Sequence, residues 1–145
     1  ARILGHAQGF RVLAAASDEF NWHLDMARIA EIWRAGCIIR SALLDDLADA
    51  FHAGLPEGAL ILAPALREML GDHLAGLRKT VAAGVSLGIP MPALSASLAW
   101  YDTIRTARGS ANLIQAQRDF FGAHGFERGD IAGAHHGTWN AIFRD

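Results

Sequence analysis

The chain has 145 residues, of which 52% are hydrophobic and 19% are charged, and its formal net charge is -2. This length suffices for one domain with its own buried core, and the slight negative charge argues against nucleic acid, which requires a basic surface. The apolar runs are too short to cross a bilayer, and the single cysteine, Cys37, excludes an internal disulfide, so we expect a soluble cytoplasmic protein.

The first half of the chain is predicted to form three helices. Apolar residues recur at helical spacing and β-branched alternation is nearly absent, which indicates an all-α fold. Helices are expected over residues 3–16, 25–34 and 38–51, with a break at Ala35–Cys37. The expected apolar stripe of the third helix consists of Ile39, Leu43, Leu47 and Phe51.

The second half is predicted to contain three more helices and an irregular tail. A long helix is expected over residues 64–87, and Pro90 stops it because proline cannot continue a helix. The next helix, 92–108, is apolar on more than one side, which favours packing against several neighbours or a second subunit. The last helix is expected over residues 111–121, and a glycine-rich tail without regular structure follows it.

Polar and aromatic side chains crowd together at the end of this last helix. In the segment NLIQAQRDFFGAHGFER, Gly122 allows the chain to turn so that Arg118 and His124 converge. An arginine and a histidine beside a helix end suit a phosphate or a carboxylate. The pattern fits either a shaped polar pocket or a buried subunit contact.

Other candidate sites are weaker. The break at Gly36 permits Arg34 and Arg40 to approach one cleft, although Arg40 considered alone is more simply a salt-bridged helix arginine. His124, His135 and His136 lack the spacing typical of metal ligands, so we expect no metal site. The chain also has no glycine-rich dinucleotide turn and no P-loop, so we expect no cofactor-binding residue within it.

Three stretches together resemble the C-terminal all-helical domain of long-chain 6-phosphogluconate dehydrogenase: IWRAGCIIRS, GIPMPALSASLAWYDTIR and ANLIQAQRDFFGAHGFER. The resemblance implies a homodimeric enzyme of the pentose phosphate pathway that uses NADP to convert 6-phosphogluconate to ribulose 5-phosphate. The family's nucleotide-binding domain, base lysine and acid glutamate belong upstream of Ala1. Residues 1–145 are therefore expected to be a fragment, the substrate-binding and dimerisation domain, with no catalytic residue and no activity alone.

The resemblance also assigns three substrate-binding residues. Arg40 corresponds to an arginine that contacts the substrate phosphate, whereas Arg118 and His124 correspond to residues that reach into the partner subunit's site. The polar cluster is then a dimer contact and half of a pocket at once. Among the departures from the family pattern, Gly125 stands where threonine is common, and the segment HHGTWN matches the family's tail only loosely. The alternatives are a non-catalytic helical dimerisation module and a metal- or haem-binding bundle.

Overall fold

The computed structural model describes residues 1–139, and the chain divides into two compact units, the first comprising residues 1–101 and the second beginning at Asp102. The described elements are α1 (Arg2–Glu19), α2 (Met26–Trp33), α3 (Leu43–Ala53), α4 (Pro64–Ser86), α5 (Pro92–Ile104), α6 (Ala111–Gly122) and the short strands β1 (Phe126–Glu127) and β2 (Ala134–His135). Two short 3₁₀ helices, Pro56–Gly58 and Leu60–Leu62, join α3 to α4. The predicted all-α class is confirmed. Within the described residues, no helix is long and apolar enough to span a membrane.

The core of the first unit is centred on Phe10 of α1. Its ring centroid lies 5.3 Å from that of Trp33 and 4.8 Å from that of Phe51, which ties α1 to α2 and α3. Leu44 and Leu47 from α3 and Leu66 from α4 are fully buried around this aromatic group. Burial of these large side chains is the main stabilising contribution to the unit.

The third helix begins five residues later than the sequence predicts. Gly36 has a φ of +83°, and residues 34–42 form turns in which Ile38 is fully exposed. The helix begins only after Ser41, whose hydroxyl accepts the backbone N–H of Leu43 at 3.3 Å and so satisfies one amide of the first turn. Ile39 therefore lies outside the helix, and the prediction that it begins the apolar stripe was wrong.

The fifth helix ends at Ile104 rather than near Arg108. Thr106 closes it, because its backbone N–H donates to the carbonyl of Thr103 at 3.1 Å and its hydroxyl donates to the carbonyl of Asp102 at 2.5 Å. These bonds satisfy carbonyl groups that continuation of the helix would have used. The threonine hydroxyl thus competes with the helix for the same acceptors.

The predicted irregular tail contains one regular element. After α6, strands β1 and β2 pair antiparallel, with Phe126 opposite His135 and Glu127 opposite Ala134. The glycine-containing connection between them reverses the chain, and Gly133 adopts a φ of +101° there. In the described residues the tail is otherwise irregular, as predicted. A ladder of two residues per strand is too short to produce an alternating pattern in the sequence.

We expect Leu44→Ala to lower the free energy of unfolding by about 2–5 kcal/mol, because it opens a cavity in a fully buried site. Leu43→Ala is the matched control, since Leu43 is the adjacent residue of the same helix and only partly buried. Its cost should be clearly smaller. Urea denaturation of the two variants measures the difference, and equal losses would contradict the observed register of α3.

Candidate functional site

Arg118 and His124 line one open cleft on the second unit, with a volume of about 360 Å³. The other lining residues are Ile114, Gln117, Phe121 and Gly122. Positions 114, 117, 118 and 121 share one face of α6 because residues three and four apart are neighbours on a helix. The sequence-based expectation that Arg118 and His124 converge is therefore met, whereas their role in binding stays a prediction.

His124 reaches this cleft because the chain turns sharply at the end of α6. Ala123 has a φ of +50° and Gly125 a φ of +73°, so left-handed residues stand on both sides of the histidine. The ring then lies against Gly122, where an added Cβ would come within 2.6 Å of the His124 Nε2 atom. Gly122 thus supplies the space that lets the imidazole lie beside the helix.

The guanidinium of Arg118 keeps its charge available to a ligand. It donates to the amide oxygen of Gln115 at 3.2 Å, which is a neutral partner one helical turn away. Within residues 102–139, no carboxylate forms an ion pair with Arg118. A guanidinium that is oriented but not neutralised suits an incoming phosphate or carboxylate.

Asp119, the next residue, faces the tail and is only 2% exposed. Its Oδ1 atom accepts the N–H of Gly125 at 2.9 Å and lies 2.6 Å from His136 Nδ1. Its Oδ2 atom accepts the N–H of Gly137 and the indole N–H of Trp139, each at 2.7 Å. The Gly137 N–H, followed by Trp139, His136 and Gly125, holds the pKa of Asp119 far below its ordinary value, although burial opposes this shift.

Arg40 lies on the exposed turn between α2 and α3, where its backbone N–H donates to the carbonyl of Cys37 at 3.4 Å. Its side chain has no ion pair within residues 1–139. Arg34, by contrast, binds the Asp45 carboxylate at 2.5 Å, which raises the pKa of the guanidinium. Arg40 is therefore the arginine of this segment whose charge remains open to a ligand, and it is not the salt-bridged helix residue that the sequence alone favoured.

The adjacent histidines of the tail have different partners. His135 lies 3.2 Å from the carbonyl oxygen of Ile131, whereas His136 contacts Asp119. In the part of the chain that the structure describes, no three His, Cys, Asp or Glu side chains are grouped so that they would hold a metal ion. Asn140, the last residue of the segment HHGTWN, lies outside the described residues.

Comparison with known proteins agrees with these features. The family model for the 6-phosphogluconate dehydrogenase C-terminal domain matches residues 1–139. The chain belongs to this family. A decarboxylating 6-phosphogluconate dehydrogenase from Klebsiella pneumoniae is 48% identical over 138 residues, which cover 95% of the chain and 30% of that protein. The chloroplastic enzyme 2 of Spinacia oleracea is 41% identical over 143 residues, or 99% of the chain and 27% of that protein.

A solved structure extends the comparison to three dimensions. The 6-phosphogluconate dehydrogenase of Plasmodium falciparum, studied without ligand, with its cofactor NADP+ and with its substrate 6-phosphogluconate, matches with a TM-score of 0.87 at 39% identity. The match covers 94% of this chain and 29% of that one. The chain thus spans about 30% of the length of the bacterial relatives it matches. The predicted membership of the 6-phosphogluconate dehydrogenase family is confirmed.

Sequence reasoning about this 6-phosphogluconate dehydrogenase domain missed the part played by Asp119. One signal was present, because an acidic residue in the last turn of a helix opposes the helix dipole and needs compensating donors. Those donors come from Gly125, His136, Gly137 and Trp139, between 6 and 20 residues further along the chain. Two of the four are backbone amides, which leave no side-chain pattern in the sequence.

We expect Asp119→Asn to remove an acid-sensitive part of the stability. Because the folded-state pKa lies below the ordinary 3.8, the ionised carboxylate stabilises the folded state above about pH 4, and this contribution is lost as pH falls towards the folded-state pKa. The difference in Tm between the unsubstituted chain and Asp119→Asn should be largest near neutral pH and shrink in acid. Thermal unfolding followed by circular dichroism measures it.

Asp130→Asn is the control for this measurement. Arg128 lowers the pKa of Asp130 to about 2, so the sign of the pH dependence is the same. The pair is solvent-exposed, with its carboxylate 64% accessible, and exposed ion pairs contribute little. The Tm loss at neutral pH should therefore be smaller than for Asp119→Asn. A Tm difference for Asp119→Asn that does not change with pH would contradict the assignment of a stabilising carboxylate.

Proposed function

We propose that residues 1–145 form the substrate-binding and dimerisation domain of a decarboxylating 6-phosphogluconate dehydrogenase. The complete enzyme oxidises 6-phosphogluconate with NADP and decarboxylates the product to ribulose 5-phosphate, a reaction of the pentose phosphate pathway. NADP is bound by a nucleotide-binding domain outside this chain. The family match over residues 1–139 supports this assignment. The observation that supports a substrate-binding role is the convergence of Arg118 and His124 on one cleft.

The substrate phosphate is the proposed ligand of Arg40, Arg118 and His124. A guanidinium forms two parallel charge-assisted hydrogen bonds with phosphate oxygens, and an imidazole N–H adds a third donor. Arg40 and Arg118 suit this role because neither is neutralised by a carboxylate within the described residues. In this proposal Arg40 serves the site of its own subunit, whereas Arg118 and His124 serve the site of the partner.

The surface around the cleft supports a shared site in a homodimer. The cleft is open, so a phosphate bound there would stay largely in water unless another protein surface covered it. Large apolar side chains beside it are also exposed, namely Leu113 at 63%, Ile114 at 54% and Phe121 at 79%. Exposed apolar groups next to a charged cleft favour burial in a subunit contact.

A dimerisation module without catalysis would use the same apolar surface. The unneutralised arginines favour the enzyme, because a purely structural interface would be expected to pair or replace such charges. Detection of a nucleotide-binding domain in the same native polypeptide, by intact mass and peptide mapping, would decide between the two.

Residues 1–145 alone should neither reduce NADP nor bind it tightly, because they contain no glycine-rich dinucleotide turn. Isothermal titration calorimetry of the purified chain with NADP measures this directly. Micromolar affinity, or turnover of 6-phosphogluconate by this chain, would contradict the proposal that NADP is bound by a domain outside it.

The phosphate site is best tested in a complete enzyme. Residues 1–145 would replace the matching region of the Escherichia coli K12 relative, which is 47% identical over 138 residues. In this chimera, Arg40→Met or Arg118→Met should weaken substrate binding by roughly 10- to 150-fold, since a hydrogen bond to a charged group contributes about 1.5–3 kcal/mol. Methionine preserves much of the apolar stem, so the fold should survive. Arg34→Met is the control, because Asp45 already occupies that guanidinium.

Mixed dimers test whether the two arginines act in different subunits. A heterodimer of one Arg40→Met chain and one Arg118→Met chain would carry both lesions in one site and neither in the other. Heterodimers isolated with two affinity tags should therefore recover roughly half of the normal sites, whereas each parent homodimer is impaired at every site. Verified heterodimers without any normal sites would refute the cross-subunit assignment of Arg118.

A further inference from the structure

The carboxylate of Asp119 has every acceptor position occupied. An ionised carboxylate offers about four lone-pair sites, and here four donors fill them, two from the backbone and two from side chains. Such a group cannot rotate without breaking several bonds at once. Asp119 is therefore a fixed point from which neighbouring segments can be aligned.

Asp119 accepts hydrogen bonds from the residues on both sides of His124. The backbone carbonyl of Asp119 accepts the N–H of Ala123 at 2.8 Å, and its Oδ1 atom accepts the N–H of Gly125 at 2.9 Å. The residues immediately before and after the histidine are thus held by one residue of α6. Since Arg118 precedes Asp119 on the same helix, this pair of bonds sets the position of His124 relative to Arg118.

The turn needs such support. Ala123 adopts a left-handed conformation, with a φ of +50°, which costs free energy in any residue with a Cβ. Gly125 leads directly into β1, and a ladder of two residues per strand is not stable by itself. His136 and Gly137 follow β2 directly, and both contact Asp119. The same carboxylate therefore holds the residue that precedes β1 and the two residues that follow β2.

We propose that Asp119 is a positioning residue for the substrate-phosphate site: its carboxylate holds the turn Ala123–Gly125 so that the His124 imidazole stays in the cleft that Arg118 also lines. Asp119 does not contact substrate in this role. The inference rests on the proposed function, because it gives a reason for fixing those two side chains together. Asp119 would thus affect phosphate binding through the position of His124 and not by touching the phosphate.

A double-mutant cycle in the complete chimeric enzyme tests this inference. Asp119→Asn keeps the shape of the side chain but replaces one acceptor oxygen with an NH₂ group, which faces existing donors. The KM for 6-phosphogluconate should rise roughly tenfold, the scale of one misplaced charge-assisted hydrogen bond, while kcat and the KM for NADP change by less than about twofold. In a His124→Ala background, the same substitution should change the KM by less than about twofold, because the group it positions is gone.

The outcomes separate this inference from the proposed function. If Asp119→Asn raises the KM equally in both backgrounds, Asp119 does not act through His124 and the inference is overturned. If His124→Ala alone leaves the KM unchanged, the assignment of His124 to the phosphate site is overturned first, and the inference falls with it. Asp130→Asn is the matched control in the same unit and should leave both KM values unchanged, since Asp130 bonds the exposed Arg128.

A milder variant keeps the test decisive if Asp119→Asn does not fold. His136→Ala removes one donor from the Oδ1 atom that holds Gly125 and leaves the carboxylate in place. It should raise the KM by roughly two- to threefold with His124 present and have no effect without it, because a weakened carboxylate holds the turn less firmly. Amide exchange at Gly125 should also become faster in His136→Ala. Slow exchange together with a raised KM would count against positioning through the turn.

Discussion

The second unit is organised around one buried charge at the end of a helix. A carboxylate in that position is unfavourable in two respects, since burial removes its hydration and the helix dipole repels it. Asp119 overcomes both because four N–H donors surround it, and its pKa is held far below the ordinary value as a result. Each donor comes from a segment with little regular structure of its own. The charge therefore acts as the common partner that gives the turn, the short ladder and Trp139 defined positions beside α6.

Elements defined by interactions between residues close together in the chain could be predicted from the sequence, whereas those defined by distant residues could not. Helical periodicity identified all six described helices, because that pattern is local. The start of α3 and the end of α5 were misplaced. At these ends the side-chain hydroxyls of Ser41 and Thr106 bond backbone groups, which helical periodicity does not indicate. The approach of His124 to Arg118 was predictable from Gly122, which lies between them. The contacts of Asp119 were not, because they join residues up to 20 positions apart and half of them end on backbone amides.

In the first unit, the proposed phosphate-binding residue lies on a turn between two helices rather than on a helix. Arg40 lies on a turn, but both flanking helices are fixed, since α2 and α3 pack together. Functional side chains on turns gain precision from the rigid elements at either end. The same short segment thus contains one arginine that is paired with a carboxylate and one whose charge is free, a distinction that the letters IWRAGCIIRS do not reveal.

Arg118 and Asp119 show how one helix can serve a ligand and a scaffold at adjacent positions. Successive residues point about 100° apart around a helix, so the guanidinium faces the open cleft while the carboxylate faces the tail. In the proposed site, residues on the buried side of α6 would then fix the positions of the side chains, and residues on its exposed side would contact the ligand. Such an arrangement has a physical advantage. The carboxylate is occupied by its own donors and does not neutralise the neighbouring arginine, so a negative charge next in sequence leaves the positive charge available to a phosphate.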